Sequence, residues 1–120
     1  MRNEALNHKY AYSTPVNPGR LVAKIGDKSQ IKTQRYGKRP YGVGLLVAGV
    51  DEGGPHIYET CPDANYFEYF AFAIGARCQS AKTYLENHFK DFDNMGLEDL
   101  IRAGVRSVRK STPDEIELNN

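Results

Sequence analysis

Three histidines are the first candidates for chemistry in this 120-residue sequence, because histidine is the side chain that most often serves as a general acid or base. His8, His56 and His88 are spread over a predicted helix, an acidic strand and a core-facing helical position, which does not favour a Ser-His-Asp triad. His88 falls on the apolar stripe of a predicted helix. We therefore expect it to be a packed, hydrogen-bonded residue, and we assign no catalytic residue.

The two cysteines are the next candidates, as metal ligands or as a disulfide. Cys61 and Cys78 stand apart without a CxxC pair or a Cys/His cluster. A zinc site would need such spacing, and a disulfide framework would need more cysteines. We expect two small buried thiols in a reducing compartment, no metal site and no cofactor.

A basic and aromatic cluster between residues 32 and 41 could contact nucleic acid, through phosphate contacts and base stacking. It consists of Lys32, Arg35, Tyr36, Lys38, Arg39 and Tyr41. The alternative is a helix C-terminus, where basic side chains complement the terminal carbonyl groups. We prefer the alternative, since the formal net charge of the whole chain is only +1.

Length and composition indicate one globular domain at most. Residues 1–40 carry nine Lys or Arg against two acids, whereas residues 41–75 carry five acids and no basic residue. We expect this asymmetry to bring parts of the chain or neighbouring subunits together. No apolar run has the length of a signal peptide core or a membrane span, so neither is expected.

The fold is organised around a predicted strand, the run RPYGVGLLVAGV at residues 39–50. Alternate side chains point to opposite faces of a strand, and here both sets are apolar. One set is Val43, Leu45 and Val47, and the other is Leu46, Ala48 and Val50. Such a strand is typical of a sheet that lies between two layers.

The remaining elements follow from caps, turns and periodicity. Residues 1–12 are predicted to form a helix, and Asn17 before Pro18 predicts a second helix that ends near Gln34. Residues 55–61 and 66–74 predict two further antiparallel strands. Residues 77–110 predict a helical hairpin laid on the sheet, and residues 111–120 a polar tail. The two helices of this hairpin each carry an apolar stripe. The first stripe is Ala81, Tyr84, Leu85, His88, Phe89 and Phe92, and the second is Leu97, Leu100, Ile101, Gly104, Val105 and Val108.

Several separated motifs resemble the alpha-type subunits of the 20S proteasome. They are TQRYGKRPYGVGLLVAG at residues 33–49, GPHIYETCP at 54–62, IGAR at 74–77 and QSAKTYLE at 79–86. The resemblance covers essentially the whole chain and thins after Pro113. It identifies Gln34, Tyr36, Arg39, Pro40, Tyr41 and Gly42 as family-signature residues and candidate subunit contacts.

The resemblance implies an α+β fold, part of the αββα four-layer sandwich of the N-terminal-nucleophile hydrolases, with helices on one sheet face and the second sheet largely missing. We expect residues 1–120 to be a single partial domain, from the middle of such a subunit. The gate-forming N-terminal tail and the pocket lysine that receives activator tails are expected to precede Met1.

For function, the resemblance implies a non-catalytic structural subunit of the alpha ring, active in ubiquitin-dependent protein degradation in cytoplasm and nucleus. Its partners would be alpha subunits laterally and beta subunits below, with no membrane and no nucleic acid. The alternatives are a truncated chain that does not assemble and a threonine peptidase of the beta type. The peptidase needs a threonine as its own N-terminus, yet the sequence contains no Gly-Thr processing pair.

Overall fold

The computed structural model describes residues 1–113 and divides the chain into two compact units. The first unit is Met1–Phe70 and the second is Ala71–Asn120. The predicted polar tail falls largely outside the described residues. Among the described residues, the buried hydrophobic side chains are only Val22, Ala81, Leu85 and Ala103. Each unit therefore has a small core.

The first unit begins with two helices, α1 (Arg2–Tyr12) and α2 (Pro18–Gln34). The side-chain oxygen of Asn17 accepts hydrogen bonds from the backbone N–H groups of Gly19 at 2.8 Å and Arg20 at 3.4 Å. Pro18 occupies the first helical turn, where its missing N–H costs no hydrogen bond. The predicted cap, start and end of α2 are thus confirmed.

Ion pairs between Glu4 and two lysines connect the two helices. Glu4 of α1 accepts from Lys28 Nζ at 2.6 Å and from Lys24 Nζ at 3.3 Å, and both lysines lie on α2. Lys24 and Lys28 are one helical turn apart, so a single carboxylate reaches both. These hydrogen bonds hold the pKa of Glu4 below its ordinary value.

Three antiparallel strands follow, β1 (Leu45–Asp51), β2 (Gly54–Thr60) and β3 (Tyr66–Tyr69), in the order β1-β2-β3. The predicted meander is confirmed, but two of its bounds were wrong. The first strand begins at Leu45 because its partner, Thr60, is the last residue of β2 before the chain turns. The third strand ends at Tyr69, paired with Ile57, instead of continuing to residue 74. If β3 continued in that register, it would soon lie opposite Pro55 of β2, which has no backbone N–H to donate to a neighbouring strand.

One face of the sheet packs against α2. A methyl group built on Gly49 of β1 would lie 2.9 Å from the Pro18 side chain, and one on Gly19 of α2 would lie 2.8 Å from the Tyr58 hydroxyl. Both distances are shorter than ordinary contacts, so the glycines permit the helix to approach the strands closely.

The opposite face of the sheet, called the outer face below, is mostly apolar and largely exposed. Its residues are Leu46, Ala48, Val50, Pro55, Ile57, Glu59, Phe67 and Tyr69. Leu46 is 41% exposed, Phe67 50% and Val50 77%. The strand is therefore apolar on both faces, as predicted, but only the face that packs against α2 is covered.

The second unit contains α3 (Cys78–His88), a 3-10 helix (Phe89–Asn94) and α4 (Leu97–Ser111). The predicted helical hairpin is confirmed, with its first arm changing from α to 3-10 geometry at Phe89. His88 donates from Nδ1 to the carbonyl of Tyr84 at 2.7 Å and stacks on its ring at 4.3 Å. The expectation of a packed, hydrogen-bonded histidine is confirmed.

The apolar stripe of α4 does not form the core of the hairpin. The buried residues of α4 are Ala103 and Ser107, which lie on a different face of the helix from the stripe. On the stripe itself, Leu97 is 74% exposed and Val108 is 62% exposed. Two small residues one turn apart let α3 and α4 approach closely, which explains why this face packs inward. The predicted periodicity is confirmed, and the buried face of α4 carries the small residues instead of the stripe.

Replacing Gly49 with alanine is expected to loosen the contact between β1 and α2. The new methyl group would meet the rigid Pro18 ring at 2.9–3.0 Å, so the helix must move or the strand must bend. Overpacking of this kind costs about 1–3 kcal/mol. Amide hydrogen exchange along α2 should accelerate accordingly.

The matched control is Gly42→Ala, because a methyl group built on Gly42 meets nothing within 4 Å. This variant should leave exchange along α2 unchanged. Equal effects of the two substitutions would show that Pro18 does not restrict Gly49.

Candidate functional site

The six family-signature residues lie at the end of α2 and in the connection to β1, and all six are exposed. They are Gln34, Tyr36, Arg39, Pro40, Tyr41 and Gly42. Tyr36 is fully exposed, at 105% of its reference area, and is followed by Gly37 with a positive φ of 74°. The backbone N–H of Lys38 donates to the carbonyl of Arg35 at 3.2 Å. The segment is thus a turn that displays its side chains.

Within the basic and aromatic cluster, one pair of side chains is brought together. The Lys32 ammonium lies 5.1 Å from the centre of the Tyr41 ring, a cation–π distance. Lys32 also lies in the last turn of α2, where a positive charge complements the helix carbonyls. This geometry agrees with the interpretation of the cluster as a helix C-terminus.

Two other surfaces are largely apolar and exposed. The first is the outer face of the sheet, and the second is the apolar stripe of α4. On that stripe Ile101 is 57% exposed and Val105 58%. Exposed apolar patches of this kind are typical of surfaces that another protein segment covers.

A cluster of hydrogen-bonded polar side chains surrounds His56, on the face of the sheet that packs against α2. His56 Nδ1 lies 2.5 Å from Glu68 Oε1, and His56 Nε2 lies 2.9 Å from Asp51 Oδ1. Asp51 also accepts from the backbone N–H of Gly53 at 2.8 Å and from the side-chain amide of Asn17 at 2.5 Å. The cluster connects all three strands to the start of α2.

The protonation states follow from these contacts. Hydrogen bonds to Glu68 and Asp51 raise the pKa of His56. Partial burial opposes ionisation of Asp51, but the Gly53 amide and the His56 ring outweigh it and lower the Asp51 pKa. The arrangement therefore favours a positive ring between two negative carboxylates.

This cluster was not predicted from the sequence. Asp51 and His56 are 5 residues apart, and Glu68 lies 12 residues beyond His56. The register of the meander places all three on one face. His56 pairs with Gly49, and Glu68 pairs with Tyr58. Only the register brings them together, and it was not assigned from the sequence.

Several features of the described residues bear on metal, thiol and membrane chemistry. Within residues 1–113, no group of three or more His, Cys, Asp or Glu side chains is arranged to hold a metal ion. Cys61 and Cys78 are each half-buried and belong to different units. No helix in this described range is long and apolar enough to cross a membrane.

Comparison with known protein families shows which family the chain belongs to. The profile described as "Proteasome subunit" matches residues 1–120. The chain belongs to the proteasome subunit family. In residues 1–113, four α-helices and a three-strand antiparallel sheet form an α+β fold consistent with part of the N-terminal-nucleophile hydrolase sandwich.

Individual proteasome subunits give the same result in more detail. "Proteasome subunit alpha type-1" of Dictyostelium discoideum is 54% identical over 120 residues, all of this chain and 48% of the relative. The alpha type-1 subunit of Drosophila melanogaster is 47% identical over 96% of this chain and 41% of its own length. "Probable proteasome subunit alpha type-6" of Schizosaccharomyces pombe is 42% identical over 98% of this chain and 43% of its own length. The chain thus spans less than half the length of these proteasome relatives.

Proposed function

We propose that this chain is a non-catalytic structural subunit of the alpha ring of the 20S proteasome core, and that it acts in ubiquitin-dependent protein degradation. The observation that carries the proposal is the 54% identity to a proteasome alpha type-1 subunit over the whole chain. The exposed outer face and the exposed α4 stripe support it, because a subunit of a particle needs surfaces that neighbouring segments cover.

The proposed partners are alpha subunits laterally and beta subunits below, in cytoplasm and nucleus. Gln34, Tyr36, Arg39, Pro40, Tyr41 and Gly42 are proposed to contact a neighbouring subunit. Their exposure in a turn supports this role, since Tyr36 in particular projects fully into solvent. Tyrosine and arginine are also the side chains that most often contribute strongly to protein interfaces.

The absence of peptidase activity is part of the proposal. A threonine peptidase uses the amine of its own N-terminal threonine as the base. The 120 residues contain no Gly-Thr pair that processing could cleave. Thr14 lies between α1 and α2, and its carbonyl oxygen accepts from His8 Nδ1 at 3.1 Å. A fluorogenic peptide assay of the purified chain should show no turnover above background.

The structural role is tested by incorporation. The tagged chain is expressed in eukaryotic cells, and the extract is separated on a density gradient. We expect the tag to co-sediment with intact core particles that carry peptidase activity. A tag found only in aggregates, or degraded while core particles remain intact, would instead support the alternative of a chain that does not assemble.

The contribution of the signature turn is tested in the same gradient. Tyr36→Ser removes the most exposed aromatic side chain of that turn, and Tyr10→Ser removes one that is 91% exposed on α1. We expect the first substitution to reduce the co-sedimenting fraction and the second to leave it unchanged. Equal fractions for both variants would remove Tyr36 from the proposed contact.

A further inference from the structure

The His56 ring is held at both nitrogens by carboxylate oxygens, and this geometry defines its charge. A neutral imidazole carries one N–H and one lone pair, whereas the protonated ring donates from both nitrogens. The distances are 2.5 Å to Glu68 and 2.9 Å to Asp51. A neutral ring would place a lone pair against one of these carboxylates. The protonated ring instead makes two charge-assisted hydrogen bonds.

The two other histidines are bonded differently. His8 donates from Nδ1 to the carbonyl of Thr14, and His88 donates from Nδ1 to the carbonyl of Tyr84. One ring N–H is enough for each of these bonds, so neither geometry requires a charged ring. Only His56, among the three, is placed between two acids.

The elements packed around His56 supply the charges that face it. β1 contributes Asp51 and β3 contributes Glu68, while the Tyr58 ring of β2 stacks on His56 at 6.2 Å between centres. The start of α2 contributes the uncharged amide of Asn17, bonded to Asp51. The cluster therefore holds one cation, the protonated His56 ring, between two carboxylates. Loss of the ring proton would leave two carboxylates facing a neutral ring.

We propose that protonated His56 is a pH-dependent clamp, which fastens β1, β2, β3 and the start of α2 together and releases them when the ring loses its proton. The clamp connects the three strands because Asp51, His56 and Glu68 each lie on a different strand. Release would act first on the turn between β1 and β2, since Asp51 also orders the Gly53 amide. This inference is independent of the proposed role in the proteasome.

The direction of the pH dependence follows from the contacts. Both carboxylates raise the pKa of His56 in the folded chain above its value in the unfolded chain. The stabilisation is therefore complete below about pH 6.5, the ordinary histidine pKa, and is lost as pH rises through the raised pKa. Stability of the first unit should fall between neutral and alkaline pH.

The test measures the pKa of each histidine by exchange of its ring C2 hydrogen for deuterium, read by mass spectrometry. The method resolves His8, His56 and His88 in separate peptides and applies to the free chain and to assembled particles. We expect the midpoint for His56 to be higher in the folded chain than in the chain unfolded with urea. Glu68→Gln, which keeps an acceptor but removes the charge, should shift that midpoint downward.

Glu59→Gln is the matched control, because Glu59 is the same residue type on the outer face, away from the cluster. It should leave the His56 midpoint in place. Amide exchange of residues 51–58, corrected for its intrinsic pH dependence, gives the second measurement. Protection of these amides from exchange should fall as His56 loses its proton. In the Glu68→Gln variant this fall should occur at a lower pH. A His56 midpoint equal to that of the unfolded chain would overturn the clamp. So would amide protection of residues 51–58 that does not change as pH passes through this midpoint.

Discussion

Replacing Val22 with alanine should lower the free energy of opening of α2 by about 2–3 kcal/mol. Val22 is the largest side chain of the described residues that is fully buried, with no exposed area. Its two lost methyl groups forfeit hydrophobic burial, and the cavity left between α2 and the sheet adds to the cost. Since about 1.4 kcal/mol corresponds to a factor of ten, amide exchange along α2 should accelerate about 30- to 150-fold.

Val50→Ala is the matched control for that substitution. It removes the same two methyl groups from a side chain that is 77% exposed on the outer face. Exchange along α2 should then change less than about threefold, because exposed substitutions usually cost within about 0.5 kcal/mol. Equal effects of the two variants would show that Val22 does not anchor α2 to the sheet.

Placing charges on the outer face should abolish assembly while making the free chain more soluble. The double variant Val50→Glu with Phe67→Glu puts two carboxylates on this exposed apolar surface. Covering about 300–600 Å² of such a face contributes roughly 8–15 kcal/mol, and buried unpaired charges would oppose it. We expect at least a tenfold loss of the fraction that co-sediments with core particles, together with less self-association at equal concentration.

Two controls separate this effect from unfolding and from charge alone. Tyr10→Glu replaces an exposed aromatic side chain on α1 with the same acid and should leave incorporation unchanged. Exchange along α2 in the double variant should match the unsubstituted chain, because α2 packs against the other face. If the double variant still incorporates normally, the outer face is not covered in the particle.

Local sequence signals predicted the helices and the meander well. Asn17 and Pro18 define the start of α2 through a side-chain cap and a fixed φ, and both act within a few residues. The 3.6-residue period of α4 is equally local, and the helix lies where it was predicted. The sequence was sufficient wherever one segment determined its own conformation.

The packing of those elements was harder to predict, because it depends on which faces meet. The apolar stripe of α4 was expected to pack inward, but Ala103 and Ser107 are buried instead. Close approach of two helices needs small side chains at the contact, and the period of the large ones does not show this. The early end of β3 at Tyr69 has a similar origin, in the strand that lies opposite.

The His56 cluster shows the same limit for the candidate site. Asp51, His56 and Glu68 are unremarkable as separate residues of an acidic segment. They become a cluster only when Gly49 pairs with His56 and Tyr58 pairs with Glu68. Neither the motifs nor the family resemblance contained that register, so no chemistry could be assigned to these side chains in advance.

We expect this chain to depend on other protein segments that cover its exposed apolar surfaces, above all the outer face. Sedimentation velocity and a thermal melt of the purified chain, in one buffer at several concentrations, are the decisive experiment. We expect a species that associates as its concentration rises and shows no sharp cooperative melt. A monomer at all concentrations that unfolds in one sharp cooperative transition would contradict it.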